Sequence, residues 1–186
     1  KNKDNPFCLA TNRHIEITDK TVGVIGLGAI GYHFAKIAHG FGCHVIGYDL
    51  FKKEDPQYNF IEQVSLDELL SQSDIISLHC PLTSQTEKII NRDTINKMKD
   101  GVIIINTARG KLIDEDALVE ALNSNKIYSV GLDVLTDENP QKPTPLIQHP
   151  RSIVTGHVAW LADEARYRTI DLAIQNFINY YQGNPT

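Results

Sequence analysis

The chain's 186 residues predict an α/β fold: a doubly wound, mostly parallel sheet with helices on both faces. Three observations carry this. Short, nearly continuous apolar runs alternate with helical patterns of roughly ten to fifteen residues, the signature of strands covered on both sides by crossover helices. A glycine-rich "GLGAIG" separates the first such run from the first helical pattern. Polar residues recur just past the apolar runs, where such a sheet gathers its ligands.

The first twenty residues, "KNKDNPFCLATNRHIEITDK", are polar and weakly patterned, and 1–20 reads as a connector or arm. From Thr21, "TVGVIGLG" is a β-branched strand ending in glycines, and "IGYHFAKIAHGFG" is a helix stopped by Gly42. "HVIGYD" is the second strand. In "SLDELLSQS", Ser65 with Glu68 three residues on forms a capping box that opens a short helix. "DIISLHC" is a strand stopped by Pro81. "NRDTINKMKDG" follows as a helix ended by Gly101, then "VIIINTA" as a strand. "DEDALVEALNSNK" is a helix with acids in its first turn, where the helix dipole favours them. "YSVGLDV" is a strand, 139–150 a proline-rich loop, and "SIVTG" the last strand. A long amphipathic helix spans 162–181, and Gly183 and Pro185 end the pattern.

Composition narrows the function. A net charge of -5 with no basic run argues against nucleic acid or an anionic membrane as the main partner. No stretch reaches the ~18 apolar residues of a membrane span, and no charged-then-apolar leader opens the chain. Cys8, Cys43 and Cys80 are odd in number and far apart, which suits free thiols in a reducing, cytoplasmic compartment. The histidines lack metal-ligand spacing, so no metal site is expected.

"GLGAIG", Gly26 to Gly31, stands between a strand and a helix with an acid ending the next strand, the context of a dinucleotide fingerprint in a Rossmann sheet. Gly26 permits the tight turn, Gly28 lets the backbone approach a pyrophosphate, and Gly31 allows close helix packing. Ala29 and Ile30 complete the loop, and the helix N-terminus offers N–H groups to phosphate. Asp49, eighteen residues past Gly31, is placed to bind the adenosine ribose hydroxyls. A carboxylate there repels a 2′-phosphate and favours NAD over NADP, a preference that Lys52 and Lys53 weaken a little.

Three further strand ends carry polar groups: Arg109 in "INTARG", Asp133 and Glu138 in "GLDVLTDE", and His157 in "IVTGHVAW". Arginine grips a carboxylate bidentately. Histidine passes a proton to a carbonyl oxygen and takes it back, and a glutamate on the imidazole fixes its orientation. Arg109, Glu138 and His157 are therefore the catalytic candidates, expected to converge on one crevice.

"VGVIGLGAIG", "HCPLT", "INTARGKLIDEDALVEAL", "GLDVLTDENP" and "GHVAW", in that order, resemble the coenzyme domain of the D-isomer-specific 2-hydroxyacid dehydrogenases. Within that family the wording looks most like the glycerate dehydrogenase/hydroxypyruvate reductase group, and the match runs from about Thr21 to Tyr181. The resemblance implies NAD as cofactor, a 2-oxoacid or 2-hydroxyacid substrate, and a homodimer joined largely through this domain. It implies that Arg109 binds the substrate carboxylate, that His157 is the acid–base and that Glu138 is its partner. His79, Cys80, Pro81, Thr86, Thr107 and Ala108 would line the cofactor site, with Asp133 against the nicotinamide carboxamide. It also implies that 21–183 is the coenzyme domain, that 184–186 begins the return to a substrate domain absent from this chain, and that the chain alone binds NAD(H) but turns over 2-oxoacids very slowly or not at all. Two departures concern geometry: Gly156 stands where proline is usual, which would loosen the histidine loop, and Asn139 separates Glu138 from Pro140. A competing expectation is a redox-sensing module that binds NAD(H) without turnover. That needs only the glycine loop and Asp49, and the joint presence of Arg109, Glu138 and His157 favours the enzyme.

Overall fold

The computed structural model describes residues 15–141 and 143–184. Cys8, most of the expected arm and the last two residues of the expected return lie outside them. Seven strands form one sheet: β1 (Thr21–Ile25), β2 (His44–Tyr48), β3 (Glu62–Gln63), β4 (Ile75–Leu78), β5 (Val102–Asn106), β6 (Ile127–Leu132) and β7 (Ser152–Val154). Their order is β3-β2-β1-β4-β5-β6-β7 and every pairing between them is parallel. The helices are α1 (Ala29–Gly40), α2 (Leu66–Gln72), α3 (Arg92–Lys97), α4 (Glu115–Asn123), α5 (Pro145–Gln148) and α6 (Asp163–Tyr181).

Both sheet faces are buried because adjacent apolar residues on a strand point to opposite sides. Val24 and Val45 pack with Leu27, Ala35 and Ile61 in one cluster. Their neighbours Ile25 and Ile46 join Ile76, Ile104 and Leu118 in the other. Strand order reverses between β1 and β4, and the crevice beyond their carboxyl ends receives the glycine loop from one side and His79–Cys80 from the other.

The Ser65 box is present, with Glu68 N–H donating to Ser65 Oγ and Ser65 N–H to Glu68 Oε2. Asn91 and Asp114 cap α3 and α4. Three elements differ from the sequence reading. α3 stops at Lys97 because Met98 turns extended (φ -72, ψ 162) and enters the core at 3% exposure. The proline-rich loop contains α5, which Thr144 caps with Pro145 in the first turn; four residues are too few to display a period. β3 is a two-residue edge strand, too short for alternation. α6 forms as expected but buries no residue among those described, and Tyr167, Ile170, Leu172, Ile174 and Phe177 stand exposed.

Candidate active site

The glycine loop is shaped for a close approach. Gly26 has φ +96, and its N–H donates to the Tyr48 carbonyl at 2.8 Å. A β-carbon on Gly26 would lie 2.5 Å from the Cys80 nitrogen and 2.7 Å from the His79 carbonyl carbon, and one on Gly31 would collide with the Gly26 carbonyl. At Gly28, the N-cap of α1, a β-carbon would meet nothing within 4 Å. That open space faces the first-turn N–H groups of the helix, as a phosphate cradle requires. Asp49 borders it: Oδ2 accepts from Leu27 N–H at 2.8 Å and Oδ1 from Phe51 N–H at 3.1 Å. Gly26, Gly28, Asp49, His79, Pro81 and Thr86 belong to the wall of one cleft of about 220 Å³. These residues fit a dinucleotide.

The far wall comes from the end of β4. His79 N–H donates to the Ile25 carbonyl at 2.7 Å, its Nε2 lies 2.9 Å from Ser77 Oγ, and its ring packs on Phe34 at 4.9 Å. Burial lowers the imidazole from its ordinary pKa to about 4. An unfolded histidine protonates near 6.5, so between there and pH 4 the unfolded chain binds the extra proton and stability falls with pH. Urea denaturation should therefore show a loss of about 2 kcal/mol from pH 7 to 5, and His79→Gln should remove most of that slope. An unchanged slope in the variant would assign the pH dependence elsewhere. Cys80 is also buried, and burial pushes its thiol up to about 11, so it is no thiolate at neutral pH. Thr86 fixes the loop by accepting from Thr83 N–H at 2.8 Å and donating to the Pro81 carbonyl at 2.6 Å.

A second cavity of about 420 Å³ shares His79, Cys80 and Pro81 and continues to Ile30, Thr107, Ala108 and Arg109. Asn106, fully buried at the end of β5, positions this stretch with its amide: Nδ2 donates to the Arg109 carbonyl at 2.9 Å and Oδ1 accepts from Ala108 N–H at 3.0 Å. The Arg109 guanidinium is exposed, with Nη1 donating to the Ala108 carbonyl at 2.6 Å.

Past β6 and β7, His157 Nδ1 lies 3.0 Å from Glu138 Oε2. The pair borders a cavity of about 280 Å³ with Asp133, Pro140 and Thr155. His157 has φ +54, a conformation that costs a non-glycine residue of order 1 kcal/mol and persists only when its surroundings impose it. Asp133 imposes it. Its carboxylate, 5% exposed, accepts from Thr155 Oγ1, Val158 N–H and Ala159 N–H, while its carbonyl accepts His157 N–H at 2.8 Å. Burial alone would raise that carboxyl, but these hydrogen bonds outweigh it and hold it below the usual range. Trp160 Nε1 adds a bond to the His157 carbonyl at 2.8 Å. Asp133 thus anchors the backbone just after Gly156, where a β-carbon would meet nothing within 4 Å.

The structure therefore brings His157, Glu138 and Asp133 together and places Arg109 on the wall of a different cavity, with no hydrogen bond or ion pair to His157 or Glu138 among the described residues. Sequence reasoning missed Asn106, which an amide at a strand end before small residues could have suggested, and Gly110, which has no local signal. Among the described residues no cluster of three His, Cys, Asp or Glu could hold a metal, and no helix is long and apolar enough to cross a membrane.

Comparison with known proteins bears on this arrangement. Residues 7–159 match the family model "D-isomer specific 2-hydroxyacid dehydrogenase, NAD binding domain". The chain is 44% identical over 184 residues to a hydroxypyruvate reductase of Blautia hydrogenotrophica, covering 98% of this chain and 57% of the relative. It is 39% identical over 186 residues to a glycerate dehydrogenase of Methylorubrum extorquens, covering 99% and 57%. A D-lactate dehydrogenase with NAD+ from Lactobacillus jensenii superposes with a TM-score of 0.85 at 33% identity, over 94% of this chain and 56% of the other. The chain thus spans a little over half the length of these relatives. By the family match, these identities and the all-parallel sheet, the chain belongs to the D-isomer-specific 2-hydroxyacid dehydrogenases and carries their NAD-binding domain.

Proposed function

We propose that this chain is the coenzyme-binding part of an oxidoreductase that moves a hydride between NAD(H) and a D-2-hydroxyacid or its 2-oxoacid, with glycerate and hydroxypyruvate as the substrate pair. The observation that carries the reading is the His157–Glu138 pair at the carboxyl edge of a dinucleotide-binding sheet. The substrate pair is supported by the names of the two relatives.

Gly26, Gly28, Ala29, Ile30 and Gly31 would hold the pyrophosphate, and Asp49 the adenosine ribose. His79, Cys80, Pro81, Thr86, Thr107 and Ala108 would line the remainder of the cofactor, and Asp133 would meet the carboxamide. A reduced nicotinamide held by these residues would supply the hydride for the 2-carbon. Arg109 grips the substrate carboxylate and draws charge toward the adjacent carbonyl. His157 gives its proton to the carbonyl oxygen and recovers it in the reverse direction. Because Glu138 holds Nδ1, the proton moves at Nε2, which meets no partner among the described residues. The domain reading is 1–20 as connector, 21–183 as coenzyme domain and 184–186 as the return to a substrate domain. The assembly is a cytoplasmic homodimer, for which the exposed apolar residues of α6 supply a partner surface.

Trp160 is the single tryptophan and is tied to the His157 carbonyl, so its emission reports on this loop. NADH should quench it saturably, and the intact protein should oxidise NADH with hydroxypyruvate. Binding without turnover by the intact protein would favour the redox-sensing module, and no quench together with no turnover would defeat both readings.

A further inference from the structure

Asp49 does not stand alone at the end of β2. Lys53 Nζ lies 3.5 Å from Asp49 Oδ2, and both side chains are largely covered, at 27% and 17% exposure. The lysine is held there by its backbone. Gln63 on β3 clamps it from both sides, its Oε1 accepting Lys53 N–H at 2.8 Å and its Nε2 donating to the Lys53 carbonyl at 2.8 Å. β3 is itself registered on β2 through Gly47↔Gln63, so the clamp is anchored to the sheet. Lys52, the sequence neighbour, is exposed, and it is Lys53 that the fold pairs with the carboxylate.

The consequence is electrostatic. A lone carboxylate accepts two ribose hydroxyls and repels a 2′-phosphate, which carries about two negative charges at neutral pH. A lysine within 4 Å offsets part of the carboxylate's repulsion, and its ammonium has three donors, enough to bridge carboxylate and phosphate together. With the backbone already fixed, only the lysine side chain has to be ordered on binding. We infer that Lys53, positioned by Gln63, relaxes the coenzyme preference set by Asp49, so that a nicotinamide dinucleotide bearing an adenosine 2′-phosphate is accepted beside the unphosphorylated one. The inference rests on the reading of this cleft as the dinucleotide site.

Titration of the intact protein with NADH and with NADPH, followed by nucleotide fluorescence, tests it. The wild-type Kd values should lie within about tenfold of each other. Lys53→Met should raise the NADPH/NADH ratio of Kd about tenfold, equivalent to about 1.4 kcal/mol. Gln63→Leu should raise it by a smaller factor, since it frees the lysine without removing it. Raising the salt should weaken NADPH binding more than NADH binding, because the extra interaction is between charges. A ratio that changes less than threefold in Lys53→Met, with NADH still bound, overturns the role of Lys53 and leaves the cleft reading standing. Failure of the wild type to bind NADH overturns the cleft reading itself.

Discussion

Gly110→Ala is expected to cost about 3 kcal/mol of stability and to lower Tm by about 6–12 °C. Gly110 follows Arg109, opens a 3₁₀ turn and is buried. A β-carbon there would penetrate the Leu135 carbonyl and the Thr136 nitrogen, and both are backbone atoms. The opposing backbone has little room to retreat, because Thr136 N–H is bound to Glu115 Oε1 on α4 at 2.6 Å. Relief must therefore come from moving the segment that leads to Glu138 or the turn that carries Arg109. Gly131→Ala is the control: its β-carbon would meet nothing within 4 Å, and shortening the unfolded chain's freedom should leave stability level or raised by about 0.5 kcal/mol. Thermal unfolding of the two variants checks the pair, and a Gly110→Ala protein melting within 3 °C of wild type would show that the two segments are not in fixed contact.

The same contrast explains how much of this protein is legible in its sequence. The glycine loop, Asp49 and the strand-end acids are readable because each belongs to a local pattern: a turn, a helix start or a strand stop. His157 and Glu138 stand nineteen positions apart but both follow strands that the sheet rule sends to one edge, so their meeting at 3.0 Å could be anticipated. Arg109 obeys the same rule, yet it lines a different cavity, because β5 and β7 flank β6 and their ends are a strand apart. Gly110, Asn106 and the Gln63 clamp have no pattern to announce them. Their roles are tertiary contacts between segments distant in sequence, and a glycine forbidden a side chain by Leu135 looks the same in sequence as one that merely turns. The loop at Gly156 is a further case: the residue directs attention to backbone freedom, while the hydrogen bonds that anchor the histidine loop come from a carboxylate twenty-three positions earlier.

His157→Asn in the intact protein should lower kcat for hydroxypyruvate reduction by 10²–10⁴-fold, the range that a positioned proton donor supplies, with NADH still bound. Asparagine also tolerates the left-handed backbone at this position, so the φ of +54 and the bonds to Asp133 are kept while the proton carrier is lost. Glu138→Gln keeps an acceptor for Nδ1–H but removes the charge opposite an imidazole that becomes cationic when it takes up a proton. Its loss should be smaller, about 10–100-fold, and should fall on kcat more than on KM because the interaction strengthens as charge moves. The double variant decides between a partnership and two separate functions. If Glu138 acts only by holding His157, then His157→Asn/Glu138→Gln should be no slower than His157→Asn alone, since the carboxylate has nothing left to orient. Rate losses that multiply would mean that Glu138 touches the substrate in its own right. A His157→Asn enzyme within tenfold of wild type would remove the histidine from the chemistry altogether, and the pair would then be a structural tie between the loops after β6 and β7.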